Sequence, residues 1–201
     1  MFVVIEGIDG AGCETQGALL KKNLKGAKIP YHFFKYPDYT RNIGVEIKKF
    51  LYNNKRLTVE TQFLLYSLQF VIDSPTVEKA RKNSVVIADR YFSTTLCFQT
   101  LFGFPLKKAL DFAKVFKIAK PDLIIFLDID SHTALKRKSG EEKEKNWMEK
   151  DKELNRKTYR RYKQLIKKQI WAKWVEVDGV GTKDEIAKKI FDIIEKRWKK
   201  H

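Results

Sequence analysis

Few cysteines and no long apolar runs set the first limits on this sequence. Its two cysteines, Cys13 and Cys97, are too few for the disulfide framework typical of small secreted domains. No apolar run approaches the ~20 residues that a membrane-spanning helix requires. The chain opens with the apolar pattern of a buried strand, without the basic, apolar segment of a signal peptide. We therefore expect a cytoplasmic protein with no membrane segment.

Linkers, repeats and metal-binding patterns are lacking as well. No stretch rich in glycine, proline or serine divides the chain, and no internal repeat is present. The histidines and cysteines show neither the spacing of a zinc site nor a catalytic Cys–His pair. The chain does have 201 residues, of which 43% are apolar and 33% charged. This length and mixture predict one domain, residues 1–201, with a packed core.

The net charge of +16 raises the alternative of a nucleic-acid-binding protein. The lysines, however, are spread from Lys21 to Lys200 and form neither a basic arm nor an alternation with aromatic residues. That distribution favours a solvated, lysine-rich surface. We therefore expect no nucleic-acid partner, although charge alone keeps the alternative open.

Apolar periodicity divides the chain into alternating strands and helices. Strands are predicted at Phe2–Glu6, His32–Tyr36, Ser84–Ala88, Asp122–Leu127 and Lys173–Val177. Helices are predicted at Thr15–Leu24, Ile43–Tyr52, Glu60–Asn83, Phe92–Phe102, Leu106–Ile118, Ser131–Lys138, Trp147–Ile170 and Thr182–Lys199. A break or bend is expected in the third helix at Pro75. The alternation predicts an α/β fold, a doubly wound five-stranded parallel sheet with helices on both faces.

A glycine-rich turn joins the first strand to the first helix, where backbone N–H groups and a helix N-terminus can bind phosphate. A full Walker A motif would continue after Gly12 with Lys and then Ser or Thr, but this chain has Cys13 and Glu14. The alternative is a turn that only connects strand to helix. The residues expected to hold the phosphates of ATP are Gly7, Ile8, Asp9, Gly10, Ala11, Gly12, Cys13, Glu14 and Thr15.

Several further motifs follow in order along the chain. They are Tyr36-Pro37 with Arg41, the helical stretch Leu64–Phe70, Asp89-Arg90-Tyr91 with Gln99, and Leu127–Asp130 with Arg137. Together with the glycine-rich turn, this order resembles the thymidylate kinases over nearly the whole chain. The resemblance implies the fold of P-loop nucleoside monophosphate kinases, ATP and Mg²⁺ as cofactors, and a homodimer.

The resemblance also implies which residues take part in catalysis: Asp9, Asp89, Arg90 and Arg137. A carboxylate at the end of a strand can hold magnesium, a role that falls to Asp89, while Arg90 would clamp the transferring phosphoryl group. The alternative for Asp89 and Arg90 is a structural ion pair.

The residues implied in substrate binding are Tyr36, Arg41, Tyr66, Phe70, Arg90 and Gln99. Tyr66 would stack on a pyrimidine base. Phe70 stands where thymidylate kinases usually carry an arginine, so a charged hydrogen bond to the base is missing and we expect weak discrimination between pyrimidines. For both aromatic residues, the i,i+4 spacing leaves a position in the core as the alternative.

A charged segment at about 138–150 is expected to form a lid over the phosphates. Because the loop lysine is missing, another cation must approach the γ-phosphate, and the candidates are Arg137, Lys138, Lys143 and Lys145. On the helix that follows, Tyr159 and Tyr162 would lie either near the sugar or in the core.

The sequence thus predicts a kinase that transfers the γ-phosphoryl group of ATP to a pyrimidine deoxynucleotide, dTMP or dUMP. The alternative is a nucleotide-binding protein of the same fold with little or no kinase activity. Cys13, Glu14 and Phe70 favour that alternative, whereas Asp9, Asp89, Arg90 and Arg137 favour the kinase.

Overall fold

Five parallel strands form one sheet at the centre of the computed structural model, which describes residues 1–53, 56–139 and 144–199. Within those residues the strands are β1 (Phe2–Glu6), β2 (Tyr31–Lys35), β3 (Val85–Asp89), β4 (Leu123–Asp128) and β5 (Trp174–Asp178). Their order across the sheet is β2-β3-β1-β4-β5, and every neighbouring pair is parallel. The predicted sheet is confirmed.

The helices are numbered here in chain order. They are α1 (Cys13–Gly26), α2 (Asn42–Tyr52), α3 (Val59–Ala80), α4 (Phe92–Leu101), α5 (Leu106–Val115), α6 (Ser131–Ser139), α7 (Trp147–Lys150), α8 (Lys152–Lys167) and α9 (Lys183–Trp198). Helices α1 and α9 pack on each other, while α4 packs on α3 and α8. Every residue of β1 and β3 is buried, since helices cover the sheet. None of the described helices is long and apolar enough to cross a membrane.

Two helix predictions can be compared with the structure. The helix expected to break or bend at Pro75 is not broken, since α3 contains that proline, and a bend there stays a prediction. The predicted helix Trp147–Ile170 is wrong, because Asp151 has an extended backbone and separates α7 from α8. The Asp151 carboxylate accepts a hydrogen bond from the backbone N–H of Leu154 at 2.9 Å, so it caps a new helix instead of continuing the old one.

The direction of the chain reverses at the middle of the sheet. From β1 the chain crosses by α1 to the edge strand β2, and from β3 it crosses in the opposite direction, past β1, to β4. Right-handed crossovers therefore put the intervening helices on opposite faces and open a crevice at the carboxyl ends of β1 and β3. The glycine-rich turn follows β1 and Arg90 follows β3, so both lie at this crevice.

Candidate active site

The turn after β1 has the backbone geometry of an anion-binding loop. Gly10 and Gly12 have φ angles of 91° and 93°, a region that favours glycine. A Cβ atom on Gly10 would lie 2.1 Å from the carbonyl oxygen of Ala134, so no other residue fits there. No side chain caps α1, whose first residue follows Gly12. The N–H groups of its first turn therefore face the loop and can bind an anion.

The conformation of this loop is fixed by Arg90. Its guanidinium donates hydrogen bonds to the carboxylate of Asp9 at 2.6 Å and to the carbonyl of Gly7 at 3.0 Å. Burial lowers the pKa of Arg90, but Asp9 and the other acidic groups around it, Cys13, Tyr162 and Glu6, together raise that pKa well above its ordinary value. On the opposite side, the amide of Asn155 in α8 donates to the carbonyl of Asp9 at 3.2 Å. Strand β3 and helix α8 thus both hold the loop in place.

Glu6, the last residue of β1, is a buried carboxylate whose role the sequence did not reveal. It accepts hydrogen bonds from the hydroxyl groups of Ser93 at 2.6 Å, Thr94 at 2.9 Å and Tyr162 at 2.8 Å. Burial raises the pKa of Glu6, against the opposing effects of Arg90 and these hydroxyl donors. Glu6 therefore joins the end of β1 to the start of α4 and to α8. The one signal for it was a charged residue at the end of an apolar strand.

Two adjoining cavities open at the crevice. The first, which we call the phosphate cleft, has a volume of about 420 Å³ and is lined by the loop and by Lys35, Asp89, Lys138 and Lys145. The second, which we call the Tyr66 cavity, has a volume of about 120 Å³. Its lining includes Leu51, Tyr66, Thr94, Thr95, Phe98, Gln99 and Met148. The residues that line both cavities are Asp9, Pro37, Tyr39, Arg90 and Glu149.

Cationic and acidic side chains are nearly balanced in the phosphate cleft, although the whole chain carries a net charge of +16. Among the described residues, the lining contains five carboxylates and four cationic side chains. Cation–carboxylate pairs between described residues of the cleft include Arg90–Asp9 at 2.6 Å, Lys138–Glu149 at 2.9 Å and Lys35–Glu14 at 3.0 Å. A polyanion that enters can therefore gain positive charge from a cation that it brings with it or from a side chain that leaves its carboxylate.

Asp89 and Cys13 both line the phosphate cleft. Burial raises the pKa of Asp89, while Arg90 and Lys35 oppose the shift. Its carboxylate suits magnesium, which binds nucleotide phosphates with only one or two protein carboxylates. Within the described residues, no cluster of three or more acidic, histidine or cysteine side chains could hold a metal by itself. Burial raises the pKa of the Cys13 thiol, so Cys13 fills space and is no thiolate nucleophile.

The structure separates the two predicted aromatic residues of the substrate site. Tyr66 lines its cavity together with Gln99, whose Oε1 is buried and has no hydrogen-bond partner among the described residues. Phe70 lies in the core, with ring centroids 4.9 Å from Tyr36 and 4.7 Å from Tyr91, and lines neither cavity. The contacts of Phe70 therefore favour the alternative of a core position.

Tyr36 and Arg41 share a partner that the sequence did not suggest, the carboxylate of Asp73 in α3. The Tyr36 hydroxyl donates to it at 2.8 Å, and the Arg41 guanidinium donates to both of its oxygens, at 2.8 and 2.6 Å. Tyr36 lines the phosphate cleft, but Arg41 lines neither cavity. Arg41 is therefore bound to Asp73, and its predicted contact with the monophosphate stays a prediction.

The candidate lid cations lie in different places. Arg137 donates to the carbonyl of Gly179 at 3.0 Å and lines neither cavity. Lys138 and Lys145 line the phosphate cleft, whereas Lys143 lies outside the described residues. Glu149, the partner of Lys138, also accepts from the backbone N–H of Asn146 at 3.2 Å. The described part of the predicted lid therefore contributes two lysines to the cleft.

Tyr159 and Tyr162 of α8 both donate hydrogen bonds to carboxylates of the sheet strands. Tyr162 is buried and donates to Glu6, and Tyr159 donates to Asp128 at 3.0 Å. Neither lines a cavity, so both contacts favour the core alternative.

Comparison with known proteins identifies the family. The sequence profile described as thymidylate kinase matches residues 5–190, nearly the whole chain. The chain belongs to the thymidylate kinase family. A probable thymidylate kinase of Methanococcus maripaludis is 34% identical over 146 residues, which cover 71% of this chain and 67% of the relative. One from Methanococcus aeolicus is 31% identical over 172 residues, covering 85% and 81%.

Solved structures agree with this fold. A thymidylate kinase from Candida albicans superposes with a TM-score of 0.75 at 21% identity, covering 98% of this chain and 91% of that one. The predicted P-loop nucleoside monophosphate kinase fold is confirmed. The predicted enzyme class, a nucleoside monophosphate kinase, follows from membership of the family.

Proposed function

We propose that this chain acts in the cytoplasm and transfers the γ-phosphoryl group of ATP to the 5′-phosphate of thymidylate. The observation that carries the proposal is the junction of the two cavities at Asp9 and Arg90. A nucleoside in the Tyr66 cavity directs its 5′-phosphate toward this junction, while the loop binds the triphosphate from the other side. The attacking and leaving oxygens can then lie in line across Arg90.

Each part of the site has a distinct task in this reaction. Tyr66 stacks on the base, and Gln99 offers it a buried amide. The loop N–H groups bind the β-phosphate, and Arg90 stabilises charge on the transferred group. Asp89, with Glu14 nearby in the cleft, would hold Mg²⁺. That ion supplies positive charge for the phosphate oxygens.

Lysines of the lid contribute further charge. Lys138 and Lys145 line the phosphate cleft, and Lys143 falls in the same segment of the sequence. Closure of this segment over the triphosphate would exclude water, which strengthens every charge interaction within the cleft.

We further propose that two copies of the chain associate. Helix α3 carries an exposed apolar stripe at i, i+4 and i+8, with Leu64, Leu68 and Ile72 exposed by 55%, 45% and 48%. Light scattering should give the mass of a dimer for the unmutated chain and of a monomer for Leu68→Glu. A monomeric unmutated chain would contradict the dimer.

The test of the proposed function is a coupled assay of ADP release with ATP, Mg²⁺ and each common nucleoside monophosphate in turn. We expect turnover with thymidylate and deoxyuridylate. The absence of turnover with every monophosphate, in a chain that still binds ATP, would favour a nucleotide-binding protein without kinase activity.

A further inference from the structure

Lys35 occupies a place from which it can reach the phosphate-binding loop. It is the last residue of β2, and its Cα is the register partner of Asp89 in β3. Its ammonium nitrogen lies 3.0 Å from the carboxylate of Glu14, the second residue of α1. Both side chains line the phosphate cleft together with Gly12 and Cys13. An ammonium group is thus held directly beside the loop that lacks its own lysine.

Electrostatic effects on Asp89 agree with this placement. Burial raises the pKa of Asp89 and the charge of Arg90 lowers it. The charge of Lys35 lowers this pKa further, and the charge of Glu14 raises it. The three side chains therefore form one group at the carboxyl ends of β2 and β3 and the start of α1. Magnesium and triphosphate would have to enter the same group.

The cations of the cleft differ in how readily they can leave their present partners. Side-chain exposure is 21% and 23% for Arg90 and Asp9, and 11% and 21% for Lys138 and Glu149. For Lys35 and Glu14 it is 50% and 65%. An ion pair this exposed contributes little to stability, so exchange of Glu14 for a phosphate as the partner of Lys35 costs little. Arg90 also remains bound to the Gly7 carbonyl, which fixes its position.

We propose that Lys35 replaces the missing loop lysine. When ATP binds at the loop, the Lys35 ammonium separates from Glu14 and contacts the β- and γ-phosphate oxygens. This inference rests on the proposed function, because it names the cation that the same phosphoryl transfer requires. Lys35 extends from a strand of the sheet and is present at the cleft before any lid segment closes. Glu14 acts as a positioning residue that holds the ammonium beside the phosphate cleft.

The test measures Mg-ATP affinity by calorimetry and turnover with thymidylate for Lys35→Ala and Lys35→Arg. The control is Lys107→Ala, which also removes a lysine from an exposed ion pair, with Asp111, but lies outside both cavities. Loss of a charged contact to phosphate should weaken Mg-ATP binding about tenfold or more. It should lower kcat about 10²-fold. Thymidylate affinity should not change, and Lys35→Arg should retain most of the Mg-ATP affinity.

A second variant returns the lysine to the loop. Adding Cys13→Lys to Lys35→Ala should restore a large part of the lost Mg-ATP affinity, provided that thermal unfolding shows a folded protein. If the double variant does not fold, the Mg-ATP affinity of Lys35→Arg serves as the test of whether a cation is what the site requires. Lys35→Ala with Mg-ATP affinity within twofold of Lys107→Ala would overturn the inference, as would a Lys35→Arg variant as weak as Lys35→Ala. The binding measurements decide the role of Lys35 even if the unmutated chain transfers no phosphoryl group, a result that would contradict only the proposed function.

Discussion

Two ion pairs lie in the phosphate cleft with similar lengths but in different surroundings. Arg90 and Asp9, 2.6 Å apart, are mostly buried at the junction of the two cavities. Lys35 and Glu14, 3.0 Å apart, are at least half exposed where the cleft opens beside α1. We call them the inner pair and the outer pair. In the inner pair, Arg90 also donates to the carbonyl of Gly7 in the loop, and the carbonyl of Asp9 accepts from Asn155 in α8. The outer pair borders solvent.

This difference in burial indicates which contacts fix the geometry of the site and which contacts a substrate phosphate can replace. A mostly buried pair is costly to break, because removal of one partner leaves the other charge poorly solvated. An exposed pair breaks at little cost. The inner pair therefore presents the loop and Arg90 in a fixed geometry, and the outer pair supplies a cation that can move to the phosphates.

Breaking the inner pair should have the largest effect. Arg90→Ala removes the cation at the junction, and we expect kcat to fall about 10³-fold because a preorganised charge at the transferred group is lost. Steady-state kinetics on the folded variant measure this effect. The matched control is Arg81→Ala, since Arg81 is 20% exposed and pairs with Asp122, outside both cavities of the active site.

The two arginine variants should lose similar stability in thermal unfolding, but only Arg90→Ala should lose turnover. Wild-type turnover by Arg90→Ala in an active kinase would show that the inner pair is only structural.

Changing the base of the nucleotide that accepts the phosphoryl group tests the Tyr66 cavity. Neither ion pair is altered by this change. Phe70 lies in the core, at a position where an arginine could donate a charged hydrogen bond to the base. The base therefore receives no such bond from this position. An apolar cavity discriminates a missing methyl group by only ~1–3 kcal/mol, or about 10–200-fold. We expect the ratio of kcat/KM for thymidylate over deoxyuridylate to lie within this range. A larger ratio would mean that a polar group such as the Gln99 amide distinguishes the two bases.

The lid lysines should have a smaller effect than Arg90. Replacing Lys138, Lys143 and Lys145 together by Met should slow phosphoryl transfer about tenfold, because these charges support the triphosphate but lie on a segment outside the loop. Thymidylate affinity, measured by calorimetry, should change much less. Equal kcat in the triple variant and the unmutated chain would remove the lid lysines from the reaction.

The smallest effect concerns Glu6, which lies beneath the inner pair. Because burial raises its pKa in the folded state above its ordinary value of 4.5, proton uptake stabilises the fold below that pH. This stabilisation is lost as pH rises through the folded-state pKa, with a slope of at most about 1.4 kcal/mol per pH unit. Glu6→Gln removes the titration. Urea unfolding between pH 4.5 and 8 should therefore give curves for the two proteins that are not parallel, and parallel curves would contradict the raised pKa.

The sequence predicted the elements better than it predicted the contacts. All five strands lie within one residue of their predicted bounds, because buried parallel strands give short, nearly continuous apolar runs. The boundary at Asp151 was missed because a single capping aspartate in a highly charged stretch is a weak local signal. The packing of Phe70 and the partner of Arg41 depend on residues distant in sequence, which periodicity does not reveal.

Lys35 shows the same limit at the candidate site. In the sequence it is one lysine among many, and only the pairing of β2 with β3 places it beside Glu14 and Asp89. The glycine-rich turn and Asp89-Arg90 could be found because their residue types and spacing are specific. A cation supplied from another strand carries no such motif.

The loop without its lysine should still support phosphoryl transfer. A direct measurement follows the labelled γ-phosphoryl group of ATP, with Mg²⁺ and thymidylate, in the unmutated chain and in Arg90→Ala as the blank. We expect labelled thymidine diphosphate, formed at least about 10²-fold faster by the unmutated chain than by the blank. Labelled product at the level of the blank, from a folded protein that binds both nucleotides, would contradict it.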